Sequence, residues 1–209
     1  MPIAVQTPDY LETVKNAYLA EIASVAAGVN TYGTPTAVNT IKEVGVSEQK
    51  TEATIYASGT VLKKAAKHTM TNLAVSATAL PVAFLRKVLG RTPDVNGGFC
   101  LAKSGDVPKE FAFGYVFEYS NGDLVFHWHP RCTLAAADKT VKTSDGNAPD
   151  PSSAYSIVAL PYGPSLIIDV EYDQSEVLET KNPLTEDVFF ATVISTVDDP
   201  RIGTETAKT

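Results

Sequence analysis

The chain has 209 residues, 44% of them hydrophobic and 20% charged, with a net charge of -7, a globular composition large enough for a packed core. The acidity is local: residues 169–209 carry ten carboxylates against three basic side chains, while residues 1–168 carry fourteen of each. That balance excludes a basic groove for tight nucleic-acid binding, and the lack of any 18-residue apolar run argues against a membrane-spanning helix.

The start, MPIAVQTPDYLE, has neither the basic nor the apolar region of a signal peptide and reads as an exposed segment. Residues 9–27 place Leu11, Val14, Tyr18 and Ile22 at helical spacing, so pattern alone leans to helix, although Thr13 to Ser24 also tolerates a strand. YGTP at 32–35 is turn chemistry. Strand candidates follow at 36–47, 50–59 and 67–79; in the last, Thr69, Thr71, Leu73, Val75 and Ala77 share one face. The clearest helix is 80–90, with Pro81 in its first turn, Gly90 past its end, Arg86 and Lys87 near its C-terminus, and a stripe of Val82, Leu85 and Leu89 flanked by Phe84 and Val88. Residues 91–98 form a loop, 136–155 a polar loop, and 155–162 and 165–172 strands joined at Gly163-Pro164. Residues 182–197 lean to strand, although Thr185 is placed to cap a helix. No alternating βαβ pattern or glycine-rich phosphate loop is present, which argues against a nucleotide-binding α/β fold.

Two of the three histidines, the single tryptophan and one of two cysteines fall in FHWHPRC, 126–132. Asn121-Gly122 upstream predicts a two-residue hairpin turn. That turn sets Tyr119 against Leu124, Phe117 against Phe126, Tyr115 against Trp128, Phe113 against Pro130 and Phe111 against Cys132, all on one aromatic core face. His127, His129 and Arg131 then share the opposite, more polar face, a candidate subunit-interface face. A site joining both histidines to Cys132 would need a bulge at Pro130. Two histidines with His68 remote in sequence do not make a metal site, so no metal or other cofactor is expected. Cys100 and Cys132 make no disulfide framework and are expected to be reduced. No nucleophile, base and orienting group combine, so no catalytic residue is assigned and no enzyme is expected.

The segment order YGTPTAV, TIYASG, FLRKVLG, KSGDVPKEFAFGYVFEYSNGD, HWHPRCTLAAADKTVKTSDG and IVALP resembles the major tail proteins (tail tube proteins) of long-tailed bacteriophages, of the type common in phages of Gram-positive bacteria. The resemblance covers residues 12–172 and is weaker beyond. It implies a mainly-β fold, a two-sheet β-sandwich or barrel with one short flanking α-helix over residues 1–172. The segment 173–209 is then an acidic C-terminal arm or extension, and Thr13 to Ser24 a first strand rather than a helix. It also implies a structural virion protein assembled in the host cytoplasm, whose hexameric rings stack into a hollow tail tube. Its expected partners are copies of itself, the tape measure protein, and tail-tip and terminator proteins. DNA would pass through the lumen without specific binding, and the chain itself would not insert into a membrane. Loops 34–66 and 136–154 are the candidate ring-to-ring contacts. The alternative is a β-sandwich adhesion or carbohydrate-binding virion component, with Trp128, Tyr115 and Tyr119 as a sugar platform.

Overall fold

Side-chain alternation governs the first segment: Leu11–Ala26 is a 16-residue strand, β1, in which Ala17 and Leu19 are buried in the main core. The helical spacing of Leu11 and Val14 is overridden because both flanks of the strand find backbone partners. The computed structural model describes residues 9–26, 28–57, 60–91, 94, 98–139 and 152–207. After β1 come β2 (Val29–Tyr32), β3 (Thr36–Val38), β4 (Ile41–Ala57), β5 (Thr60–Ala77), α1 (Val82–Val88), β6 (Phe111–Tyr119), β7 (Leu124–Lys139), β8 (Ser153–Ala159), β9 (Val170–Asp173) and α2 (Glu186–Phe189). The fold is mainly β with short helices, in line with the sequence. The strands read at 36–47 and 50–59 are present as β3 and β4, so the segment 34–66, also offered as an extended contact loop, is largely paired strand. Of the polar loop 136–155, both ends lengthen the flanking strands, and residues 140–151 lie outside the described residues.

The strands join in one antiparallel sheet of order β2-β1-β6-β7-β8-β5-β4. The sheet folds over on itself through β3, which leads into β4 yet pairs with β1 at Ala17↔Val38 and Leu19↔Thr36. Closure removes most sheet edges and creates an interior. Leu73, Val75 and Ala77 line it as their alternation predicts, together with Phe111, Phe113 and Tyr115. The helix α1 packs on this core. Its seven residues are too few to hold a helix alone. Phe84 and Val88 anchor it, Phe84 meeting Phe111 edge-on at 5.3 Å. Val82, placed in the buried stripe by sequence, is 63% exposed, because the helix turns its Phe84–Val88 side to the sheet. Gly90 ends the helix at φ +71, and a Cβ there would run into the Val107 backbone.

A second core lies on the outer face of the sheet. Along β6, large residues point into the barrel while Ala112, Gly114 and Val116 point out, beside Phe126 and Trp128 of β7. This row of small side chains leaves a trough that Phe189, Phe190, Val193 and Ile194 fill. The lean towards strand at 182–197 is therefore corrected: the segment is the short helix α2 followed by irregular chain. Its pairs of large residues four apart are used to cover one face. Phe190 stacks on Tyr18 at 3.9 Å and packs on Trp128 at 5.2 Å. Arg201 fastens the segment. It pairs with Asp199 at 2.8 Å and donates to the carbonyls of Phe189 and Thr192, each at 2.9 Å. Most of the segment read as an acidic arm, 173–209, is thus folded back on the sheet.

Gly114 is the contact point of this cap. A Cβ there would stand 2.7 Å from Phe190 Cε1 and 2.8 Å from Trp128 Cε3, inside any real approach. Gly114→Ala is expected to lower unfolding stability by about 1–3 kcal/mol and Phe190→Ala by about 3–5 kcal/mol, both measured by urea denaturation. Unchanged midpoints would show that the C-terminal segment does not pack on β6.

Candidate functional site

The β6–β7 hairpin sets the geometry of the histidine region. Asn121 and Gly122 do form its turn, but as part of a three-residue loop. Gly122 N–H donates to the Tyr119 carbonyl at 2.9 Å, Tyr119 N–H donates to the Asp123 carbonyl at 2.8 Å, and Gly122 alone takes positive φ, +92. Asn121 Oδ1 accepts from Asp123 N–H at 2.9 Å, an Asx turn that favours this longer loop. The pairing is therefore Phe117↔Val125, Val116↔Phe126, Tyr115↔His127, Gly114↔Trp128 and Phe113↔His129.

This is one residue off the predicted register, and a one-residue slip exchanges the faces. Phe126 and Trp128 leave the Phe111–Phe113–Tyr115–Phe117 layer for the outer core, while His127 and His129 join that layer. His127 stacks on Tyr115 at 4.7 Å and meets Phe117 edge-on at 5.8 Å. At Pro130-Arg131 the ladder bulges: Phe111 is opposite Cys132, so two residues face Ala112 alone. Proline, which has no N–H for the ladder, suits that position. The bulge restores the predicted Phe111–Cys132 pairing and puts Cys132 on the same face as both histidines. Arg131 points the other way, its guanidinium on Glu110 at 2.6 and 2.9 Å.

The proposed interface face of His127, His129 and Arg131 is thus not one face. His129 is fully buried and His127 nearly so, while Arg131 lies beyond the bulge. The sugar platform is not assembled either: Trp128 and Tyr115 are both at 0% exposure, in different cores, and Tyr119 sits at the turn with its hydroxyl on Asp173 at 2.9 Å.

What the sequence did not bring together is the carboxylate side of the cluster. Strand β9 pairs with the first half of β7, setting Glu171 opposite His127 and Val170 opposite Trp128. Asp169, two residues before Glu171, lies by His129. Its Oδ2 is 3.0 Å from His127 Nδ1 and its Oδ1 3.7 Å from His129 Nε2. His129 Nδ1 donates to the Ile168 carbonyl at 2.8 Å, which leaves Nε2 to accept from the Tyr115 hydroxyl at 3.4 Å. His68, on β5, has its Nε2 on the Met70 carbonyl and the Thr71 hydroxyl at 3.0 and 2.9 Å. The alternating H-x-H and D-x-E patterns were the available signal; their pairing, some 40 residues apart, was not.

Electrostatics follow from burial. Desolvation pushes the His129 imidazole below its ordinary value, outweighing the nearby Asp169 charge and the Ile168 carbonyl. Desolvation also pushes the Tyr115 hydroxyl up, and Asp169 and Glu171 add to it. For Asp169 burial opposes ionisation, but the His127 hydrogen bond and the two imidazoles prevail and hold the carboxyl below its ordinary range. Cys132 is pushed far up by complete burial and so remains a thiol. The arrangement can bind a cation or store a proton between imidazole and carboxylate.

The second surface of functional interest is the β4–β5 hairpin. Strand β8 pairs with β5 only over Thr71–Ala77. From Gln49↔Met70 to Ala57↔Thr60 the two strands pair with each other alone, among the described residues. Eight residue steps make a ribbon about 26 Å long. Residues 47–53 along it are exposed, and so are 64–67. A second exposed apolar group, Phe99, Leu101 and Val107, lies on the segment between α1 and β6.

Searches against protein-family models and curated proteins returned no match for this chain.

Two depressed pKa values give a signed pH dependence. Folded His129 resists protonation, so stability declines as pH falls below the ordinary 6.5 of histidine. The Asp169 contribution is present above its ordinary 3.8 and is lost as pH falls through its lower folded value. The melting temperature is expected to fall between about pH 7 and pH 5, with the slope reduced in His129→Gln. A flat wild-type profile there would contradict a neutral, buried His129.

Proposed function

We propose that this chain is a structural, self-assembling protein of the phage tail-tube kind. In this reading its subunits close into rings, with the sixfold symmetry that the resemblance implies, and the rings stack into a hollow tube that conducts DNA. The observation that supports it most is the β4–β5 ribbon. A two-stranded ribbon is marginal in water without a third strand or a packing face, and its open edges offer a ready template for another chain. Among the described residues no third strand pairs with it, and residues 47–53 and 64–67 along it are exposed. A second copy is the natural occupant, since an identical surface repeated by rotation generates a ring or a stack.

Other features fit the same reading. The exposed Phe99, Leu101 and Val107 are an apolar group of the sort that marks interfaces. The charge balance suits a conduit, because a lumen that held phosphates tightly would impede passage of DNA. The partners in this reading are further copies of the chain, the tape measure protein, and tail-tip and terminator proteins, with the virion tail as location.

Negative-stain electron microscopy and size-exclusion chromatography over rising protein concentration test it. Rings or tubes are expected from the full chain. Replacing residues 50–67 by a short Gly-Ser turn is expected to give a folded monomer with retained Trp128 burial. A chain that stays monomeric at high concentration, also beside tail-tip partners, would overturn the reading.

A further inference from the structure

The H-x-H of β7 and the D-x-E at the start of β9 stand side by side on one face. His127 is directly opposite Glu171, and Asp169 reaches both imidazoles. One ligand atom from each of His127, Asp169 and Glu171 lies within 4.8 Å of the other two. From this geometry we propose that these three residues bind a divalent transition-metal ion of the Zn2+ class, tying β9 to β7.

The distances fit. Bonds of about 2.0–2.2 Å in tetrahedral geometry separate ligand atoms by roughly 3.3 Å. The His127–Asp169 separation, 3.0 Å, is close to that value. Glu171 needs only a rotamer adjustment, and as an exposed side chain it is free to make one. His129 stands beside these three without joining them: its Nδ1–H is on the Ile168 carbonyl and its Nε2 accepts from the Tyr115 hydroxyl.

The donor set selects the ion. Imidazole with carboxylate suits Zn2+ and its transition-metal neighbours, whereas Ca2+ and Mg2+ prefer all-oxygen sites. Two carboxylates balance the dipositive charge. Access is available, since the Asp169 side chain is 30% exposed and that of His127 12%. Metal and protons compete for the same ligand atoms, so binding should weaken in acid.

Isothermal calorimetry with Zn2+, and visible absorption with Co2+, on the full chain test the proposal. Saturable binding of one ion per chain is expected. Co2+ should give d–d bands without a thiolate charge-transfer band, because neither cysteine takes part. His127→Ala and Glu171→Gln should each weaken Zn2+ binding about tenfold or more. Glu171→Gln is the decisive variant, since an exposed isosteric change leaves the fold intact, as circular dichroism should verify. Absence of saturable binding, a thiolate band, or wild-type affinity in Glu171→Gln would each overturn the proposal.

Discussion

The register of β6 against β7 is the constraint on which the rest of the structure depends. Both faces of β6 are buried, so each of its residues must match what lies above or below it. Phe111, Phe113 and Tyr115 fit the barrel interior, while Ala112, Gly114 and Val116 make the trough for Phe190. The three-residue loop at Gly122 sets the pairing at one end and the Pro130-Arg131 bulge resets it at the other. Between them lie Trp128 against Gly114 and His127 against Tyr115. A slip of one residue would drive the indole into the barrel and both imidazoles under the C-terminal cap, away from Asp169.

That register also explains why the histidine region looks like a site in sequence and differs from it in structure. FHWHPRC alternates between two cores. Trp128 is held by packing, for its Nε1 has no hydrogen-bond partner among the described residues, whereas His127 and His129 are held by polar contacts to the 168–171 segment. The same contacts anchor β9, and β9 leads through residues 174–185 into α2 and the cap. The polar cluster on one face of β7 and the aromatic cluster on the other are therefore joined by one stretch of chain.

Local chemistry made much of the fold legible. The alternation of Leu73, Val75 and Ala77 gave their inward face, Pro81 and Gly90 bracketed α1, and Asn121-Gly122 marked the turn. The turn's length was not legible, since an Asn-Gly pair serves a two-residue loop or, with Gly122 alone at positive φ, a three-residue one. The Pro130 bulge was recognisable only as a condition for bringing Cys132 to the histidines. Phe189, Phe190, Val193 and Ile194 carry β propensity, but the trough over Gly114 that recruits them belongs to another part of the chain. Glu171 opposite His127 was out of reach for the same reason, because long-range pairing is decided by the whole sheet. The β4–β5 ribbon was visible as strand-forming text, yet its projection beyond β8 depends on where β8 stops.

Two levels of organisation result: a barrel with a folded-back cap, complete in its own cores, and a ribbon left without a third strand. The account of function rests on the second. Amide hydrogen exchange along β4, residues 49–57, followed as protein concentration rises, tests it most directly. If another copy completes the ribbon, these amides exchange fast in dilute monomer and become protected together as assembly proceeds, while the β6 amides stay protected throughout. Exchange at β4 that does not change with concentration, under conditions where particles form, would contradict the account.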